Sequence, residues 1–167
     1  PATTMLSVFH QLNHRFDVMA SVFYSQWSVM KTITIKNTAA LDMNTGTNGM
    51  DLVDDKNFRD TWNVSLGANY HVNNEWMLMF GAGYDQTPTK DGYRDIRMPD
   101  SDHTTLSVGA QFNPLKHIAF SVGYAHIFMP KASIDNSQSS ISSLDQAKGY
   151  AHSNANLLTA QLNWTFL

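Results

Sequence analysis

The feature that most constrains this chain is a period-two alternation of apolar with small or polar residues, repeated along its whole length. Successive side chains of a strand point to opposite faces, so each alternating segment separates two environments. Trp62, Val64, Leu66, Ala68, Tyr70 and Val72 alternate with Asn63, Ser65, Gly67, Asn69 and His71. Trp76, Leu78, Phe80, Ala82 and Tyr84 do so with Met77, Met79, Gly81, Gly83 and Asp85. Leu106 to Phe112, Ile118 to Tyr124 and Leu158 to Phe166 repeat the pattern; Phe16 to Tyr24 forms the second segment, and Leu6, Val8 and Leu12 mark a rougher first. Each segment has about nine to eleven residues, the length a tilted strand needs to cross a hydrocarbon layer. Strands of soluble domains more often have about five or six.

Charge follows the same division. Asn63 to Tyr70, Met77 to Tyr84, Thr104 to Asn113, His117 to Met129 and Leu157 to Leu167 contain no Asp, Glu, Lys or Arg. Only 15% of the chain is charged, against roughly 25% in ordinary soluble domains. A Lys or Arg facing lipid near the midplane costs about 2–4 kcal/mol, which explains the exclusion. No apolar run approaches the roughly 18 residues of a spanning helix. A net charge of −3 gives no basic field for a polyanion, so nucleic acid is not an expected partner. The absence of Cys removes disulfides and thiolate chemistry. The chain opens at Pro1 without a basic stretch and apolar run, so any export signal is expected upstream of it or to have been removed.

Connections alternate as strictly as side chains. Asn13 to Arg15, Asn73 to Glu75 and Asn113 to His117 are short; Lys36 to Asp60, Gln86 to Asp102 and Pro130 to Asn156 are long and polar. All short turns then fall on one side of a sheet and all long loops on the other, the arrangement of periplasmic turns and extracellular loops in outer-membrane barrels. The expected fold is an all-β, antiparallel transmembrane β-barrel of about seven strands here. Seven strands cannot close a barrel of the usual even count, and open edges would leave backbone groups unpaired in hydrocarbon. The missing partners are expected from an N-terminal half of the barrel, residues 1–167 being its C-terminal portion; pairing of two copies is the alternative. Trp62, Tyr70, Trp76, Tyr84, Phe112 and Trp164 lie near the ends of the apolar faces, where rings favour the membrane boundary. Their other reading is the core of a soluble sandwich.

The chain resembles the long-chain fatty acid and aromatic hydrocarbon transporters of the outer membrane, the FadL/TodX type, over nearly all its length. The resemblance rests on Tyr24-Ser25-Gln26-Trp27-Ser28, Phe58-Arg59-Asp60-Thr61-Trp62, and Arg97-Met98-Pro99-Asp100-Ser101-Asp102. Ser107-Val108-Gly109-Ala110-Gln111-Phe112, Tyr124-Ala125-His126-Ile127-Phe128 and the ending Leu162-Asn163-Trp164-Thr165-Phe166 complete it. It implies a fourteen-stranded monomeric barrel plugged by an N-terminal hatch, which takes up long-chain fatty acids or other hydrophobic small molecules passively and releases them sideways into outer-membrane lipid. The hatch and first strands would lie outside this chain, and neither cofactor nor catalysis is implied. Two positions depart from the family pattern: His103 replaces a usual Arg, and Leu167 follows the aromatic that usually ends such barrels.

Alternation places Phe9, Met19, Phe23, Met77 and Met79 opposite the apolar face, as ligand-binding residues of the lumen or as contacts to a hatch. Each buried methylene contributes about 0.8 kcal/mol, whereas an exposed ion pair adds about 0–1 kcal/mol. Affinity is therefore expected from the apolar wall, and a basic residue would fix the orientation of the ligand. The resemblance points to Lys56 and Arg59 for its carboxylate, with solvated loop charges as the other reading. Arg94 and Arg97 near Asp95, Asp100 and Asp102 suggest a loop salt-bridge network or a divalent-cation site. His10, His71 and His126 are too dispersed for a metal cluster. A structural or adhesive barrel that binds a partner through its long loops is one alternative, and an outer-membrane acyl hydrolase another, although no G-x-S-x-G motif is present. A soluble lipid-binding barrel would instead turn its apolar residues inward.

Overall fold

A computed structural model describes residues 1–41, 48–94, 96, 99–135 and 148–166. Seven strands form one antiparallel sheet in the order β1 (Thr3–Gln11), β2 (Phe16–Ser25), β5 (Thr61–His71), β6 (Trp76–Asp85), β7 (His103–Leu115), β8 (Ile118–Asp135) and β9 (Lys148–Trp164). These are the seven segments of the alternation, each paired with its neighbour along the sheet.

The register keeps like faces together. Leu66 pairs with Ala20 and Ala82, Ala82 with Leu106, and Val108 with Phe80 and Tyr124. This apolar face is open: Leu158 is 84% exposed, and Leu66, Val108 and Val122 are exposed with it. Among the described residues the buried hydrophobic side chains are Ala132 and Ile134 alone. Large rings therefore do not fill a sandwich core, because none is built among the described residues. Tyr24 meets Trp62 at 4.7 Å between centroids near the loop ends of the strands; Phe16 meets Tyr70 at 4.8 Å and Trp76 meets Phe112 at 4.6 Å near the turn ends. Tyr84 lies at the loop end of β6, and Trp164, 4.9 Å from Phe166, at the turn end of β9. Eight residue steps separate Trp62 from Tyr70, about 21 Å along the normal for a strand tilted about 40°, close to the apolar band of an outer-membrane barrel.

Turn chemistry sets the short connections. The Asn13 carboxamide oxygen accepts from the Arg15 and Phe16 N–H groups, and that of Asn73 accepts from Glu75 and Trp76 in the same way. Such Asx turns let a side chain replace a backbone acceptor. Leu12 falls outside β1, within the first turn, where its N–H donates to the Phe16 carbonyl. The third turn is tighter than expected: β7 runs to Leu115 through an irregularity after Phe112, and β8 starts at Ile118.

Two long connections contain more structure than their polar composition suggests. Starting ahead of 36–60, expected as loop, and running into it, β3 (Thr32–Leu41) and β4 (Asn48–Asp55) form a separate antiparallel hairpin. Within 130–156, β8 continues to Asp135 and β9 begins at Lys148, so that ladder rises beyond its neighbours. Backbone pairing outside an apolar layer needs no alternation toward lipid, and so these extensions lack its signature. Asp95, Arg97 and Met98 lie outside the described residues.

If the apolar face meets hydrocarbon, Val108→Arg should destabilise the folded barrel in vesicles by about 2–4 kcal/mol. Thr105→Lys, on the other face of the same strand, should cost a small fraction of that. Urea titration followed by gel mobility of the unheated protein checks both, and equal losses would contradict the facing.

Candidate functional site

The face opposite the apolar wall carries small and flexible residues at mid-height. One row runs Phe9, Met19, Gly67, Gly81, Ser107, Ala125, Leu157 across the strands; the next, toward the turns, runs Gln11, Asp17, Asn69, Met79, Gly109, Gly123, Thr159. From Met19 to Leu157 and from Asn69 to Thr159 these rows line a hollow of about 420 Å³. Two glycines admit the methionines that shape it. A Cβ at Gly67 would stand 2.7 Å from Met19 Cγ, and one at Gly109 would stand 3.1 Å from Met79 Cε and 3.0 Å from the Val122 carbonyl oxygen. Thioether side chains adapt to differently shaped apolar ligands.

Sequence-predicted lumen residues thus separate. Met19 and Met79 line the hollow together, and Phe9 adjoins Met19 on β1. Phe23 lies toward the loops beside Met5 and Asn63, and Met77 toward the turns beside His71 and Gln111. Gly81 gives the hollow room, as its place within a strand suggests, while Gly67, Gly109, Gly123, Asn69, Ala125 and Thr159 are lining residues that large apolar side chains do not announce. Their signal is the repeated small residue on one face of consecutive strands.

At the turn end, His71 Nε2 lies 2.7 Å from Asp17 Oδ2. Asp17 is only 6% exposed, and its Oδ1 is buried without a hydrogen-bond partner among the described residues. The pair is diagonal across β2 and β5, since Asp17 faces Asn69. Gln111 donates to Asn113 at 2.9 Å and Gln161 to Asn163 at 2.7 Å, so this face becomes polar below the hollow.

Basic residues at the loop end are held by carboxylates. Lys56 Nζ is 2.8 Å from Asp54 Oδ2 and its side chain is 11% exposed. Arg59 Nε donates to the Thr87 carbonyl at 2.9 Å and Nη2 to Asp102 Oδ1 at 3.2 Å, with the side chain 47% exposed. Neither lines the mid-wall hollow. Arg94 is a buried hub: Nε donates to the Asp100 carbonyl at 2.8 Å, and Nη1 reaches Asp91 and the Ser133 carbonyl, both at 2.6 Å. It ties the 86–102 loop to β8. Among the described residues, no grouping of three or more His, Asp or Glu could hold a metal ion.

Three loop-end contacts repeat one geometry. The Tyr24, Tyr84 and Tyr124 hydroxyls donate to Asp60, Asp102 and Asn156 at 2.8, 2.8 and 2.7 Å. Each acceptor stands two residues before the partner of its tyrosine on the next sheet strand. The Ser28 side chain and N–H, then the Tyr24 hydroxyl, hold the Asp60 carboxyl below its ordinary value. Partial burial pushes the Asp102 carboxyl up, but the Thr87 N–H, the Tyr84 hydroxyl, Arg59 and Arg94 outweigh it and leave Asp102 below its ordinary value.

Imidazoles bond to Asp17, Asp85, Asn156 and the Ser101 carbonyl, none of them a seryl hydroxyl. The Ser–His pair of an acyl hydrolase is not assembled among the described residues.

Two outcomes are expected. His71→Ala should destabilise the barrel by about 1–3 kcal/mol by leaving a buried carboxylate unpaired, and adding Asp17→Asn should restore part of the loss, as read by urea titration. Because folding lowers the Asp60 and Asp102 values, their contribution is complete above the ordinary carboxylate value of 3.8. It should vanish as pH falls further through the lowered values. Proteolysis of the loops should accelerate there, and Asp102→Asn should remove part of that pH dependence.

The family model described as outer membrane protein transport protein (OMPP1/FadL/TodX) matches residues 1–166. A 47 kDa outer membrane protein of Pasteurella multocida is 31% identical over 127 residues, covering 76% of this chain and 28% of the relative. A long-chain fatty acid transport protein of Escherichia coli is 27% identical over 129 residues, covering 75% of this chain and 27% of the relative. The chain therefore spans little more than a quarter of these curated relatives. A crystal structure of a Pseudomonas aeruginosa FadL homologue superposes with a TM-score of 0.82 at 26% identity, over 97% of this chain and 35% of that one. The CymD monoaromatic hydrocarbon channel shares the fold, with a TM-score of 0.63 at 20% identity over 99% of this chain and 36% of that one.

Proposed function

Because this chain belongs to the OMPP1/FadL/TodX family of outer membrane transport proteins, we propose that it builds half the wall of a passive channel for hydrophobic compounds, with long-chain fatty acids as the ligands. An N-terminal half supplies the remaining strands, and the aromatic levels seat the wall in outer-membrane lipid. The observation that carries this reading is the hollow under Met19 and Met79, on the face turned away from the open apolar wall. An apolar chain lying there contributes about 0.8 kcal/mol per buried methylene, before ordering costs. The glycines leave room for it, and the methionines close over chains of different shape.

Lys56 and Arg59 act at the loop end, where a carboxylate is selected before the tail descends. Among the described residues the side-chain contacts of Arg59 go to Thr87 and Asp102 through Nε and Nη2, which leaves Nη1 to meet an incoming carboxylate. Charge at half-exposed Arg59 adds little affinity. It sorts acids from alkanes.

The test is saturable binding of a fluorescent long-chain fatty acid by the complete protein in detergent. Gly81→Leu should fill part of the hollow and weaken fatty acids and alkanes alike, by about ten-fold if two methylene contacts are lost. Lys56→Ala with Arg59→Ala should weaken the fatty acid more than an alkane of equal length. Equal losses for acid and alkane in the second variant would contradict the carboxylate role, and unchanged binding in the first would contradict the hollow.

A further inference from the structure

Above the loop-end aromatics, β8 and β9 continue as a two-stranded extension. An extra residue in β8 between Met129 and Ala132 shifts its register, while β9 keeps strict alternation. Ala132 and Ile134 consequently turn to the side opposite Tyr150 and are buried. Lys131 turns the other way and places Nζ 3.8 Å from the centroid of the Tyr150 ring. On β9, Tyr150 and His152 extend the side that lower down presents Asn156 and Leu158, the side of the open apolar wall. Just below, the Asn156 side-chain oxygen accepts from both the Tyr124 hydroxyl and His126 Nδ1, each at 2.7 Å.

Lysine outnumbers acid on this surface, with Lys131 and Lys148 against Asp135 among the described residues. No Asp or Glu occurs from His103 to Ile134 or from Gln146 to Leu167. The described acidic neighbour is Asp135, whose Oδ2 lies 3.8 Å from Lys148 Nζ. Exposed cations, an exposed ring and carboxamides thus continue the lipid-facing wall upward without a break.

We propose that this outward side of the β8–β9 extension binds the headgroup of a phosphate-bearing glycolipid in the outer leaflet. Lysine and imidazole suit phosphate oxygens, the ring of Tyr150 suits a sugar face, and the carboxamides of Asn154 and Asn156 suit hydroxyls. Height selects a large headgroup over a simple phospholipid. Lys131 lies seven residues past Tyr124, about 15–20 Å higher along a tilted strand, whereas an ordinary headgroup layer is about 5–8 Å deep. The proposal concerns the outer surface and holds whatever ligand the lumen takes.

The test reconstitutes the complete protein in phosphatidylcholine vesicles containing a bisphosphorylated glycolipid with core sugars. After extraction in EDTA, which removes cation-bridged lipid, glycolipid retained per protein is measured by mass spectrometry. Wild type should retain it, and Lys131→Gln with His152→Gln should lower retention at least about five-fold. Lys116→Gln, at a turn on the opposite side, should leave it unchanged. Glycolipid stripped of phosphate should be lost from wild type, which decides the matter even if the double variant fails to fold. Equal retention by the double variant, equal retention of dephosphorylated lipid, or displacement by millimolar inorganic phosphate would overturn the proposal.

Discussion

Everything in this structure depends on the backbone ladder. Hydrocarbon offers no partner to an N–H or a carbonyl, so a wall that crosses it must satisfy each group through its neighbouring strand. The pairing does this for β2 and β5 through β8 in almost unbroken register, with β1 and β9 as the edges of the described sheet. Register then fixes facing, because a slip of one residue would exchange the two faces of every strand. The exposed apolar wall and the Met–Gly hollow on its reverse are two outcomes of one ladder.

Facing divides the chemistry. On the lipid side, side chains are large, apolar and almost without charge, since charge there is costly. On the reverse, small residues make space, and polar groups gather toward the turns around Asp17 and His71. At the loop end the backbone leaves the layer, and carboxylates take over: Asp60 and Asp102 each accept from a tyrosine hydroxyl and a loop N–H. Arg94 is buried because four loop and strand groups meet its guanidinium.

What the sequence makes legible follows the same division. Alternation exposes both the strands and their faces, because lipid demands it at every second residue. Met19 and Met79 could be placed on the reverse face, yet that they share a hollow requires the β2–β5–β6 register. Asp17 and His71 are 54 residues apart, and their contact is diagonal, so neither position announces the other. The β3–β4 hairpin had a faint signal in Thr32-Ile33-Thr34-Ile35, too short to stand out from a polar loop. Arg94 reads as one charge of a loop salt-bridge network; that it is buried, and bonded to the Ser133 carbonyl of the β8 extension, requires the fold.

The central claim is that hydrophobic ligands lie on the face turned away from lipid. The most direct measurement is photolabelling of the complete protein with a long-chain fatty acid carrying a diazirine near its tail, followed by peptide mapping. The account predicts label on Met19, Met79 and their row neighbours, abolished by excess unlabelled fatty acid. Label confined to Leu66, Val108, Val122 or Leu158, and indifferent to competitor, would mean that the acid only dissolves against the outer wall, and would contradict it.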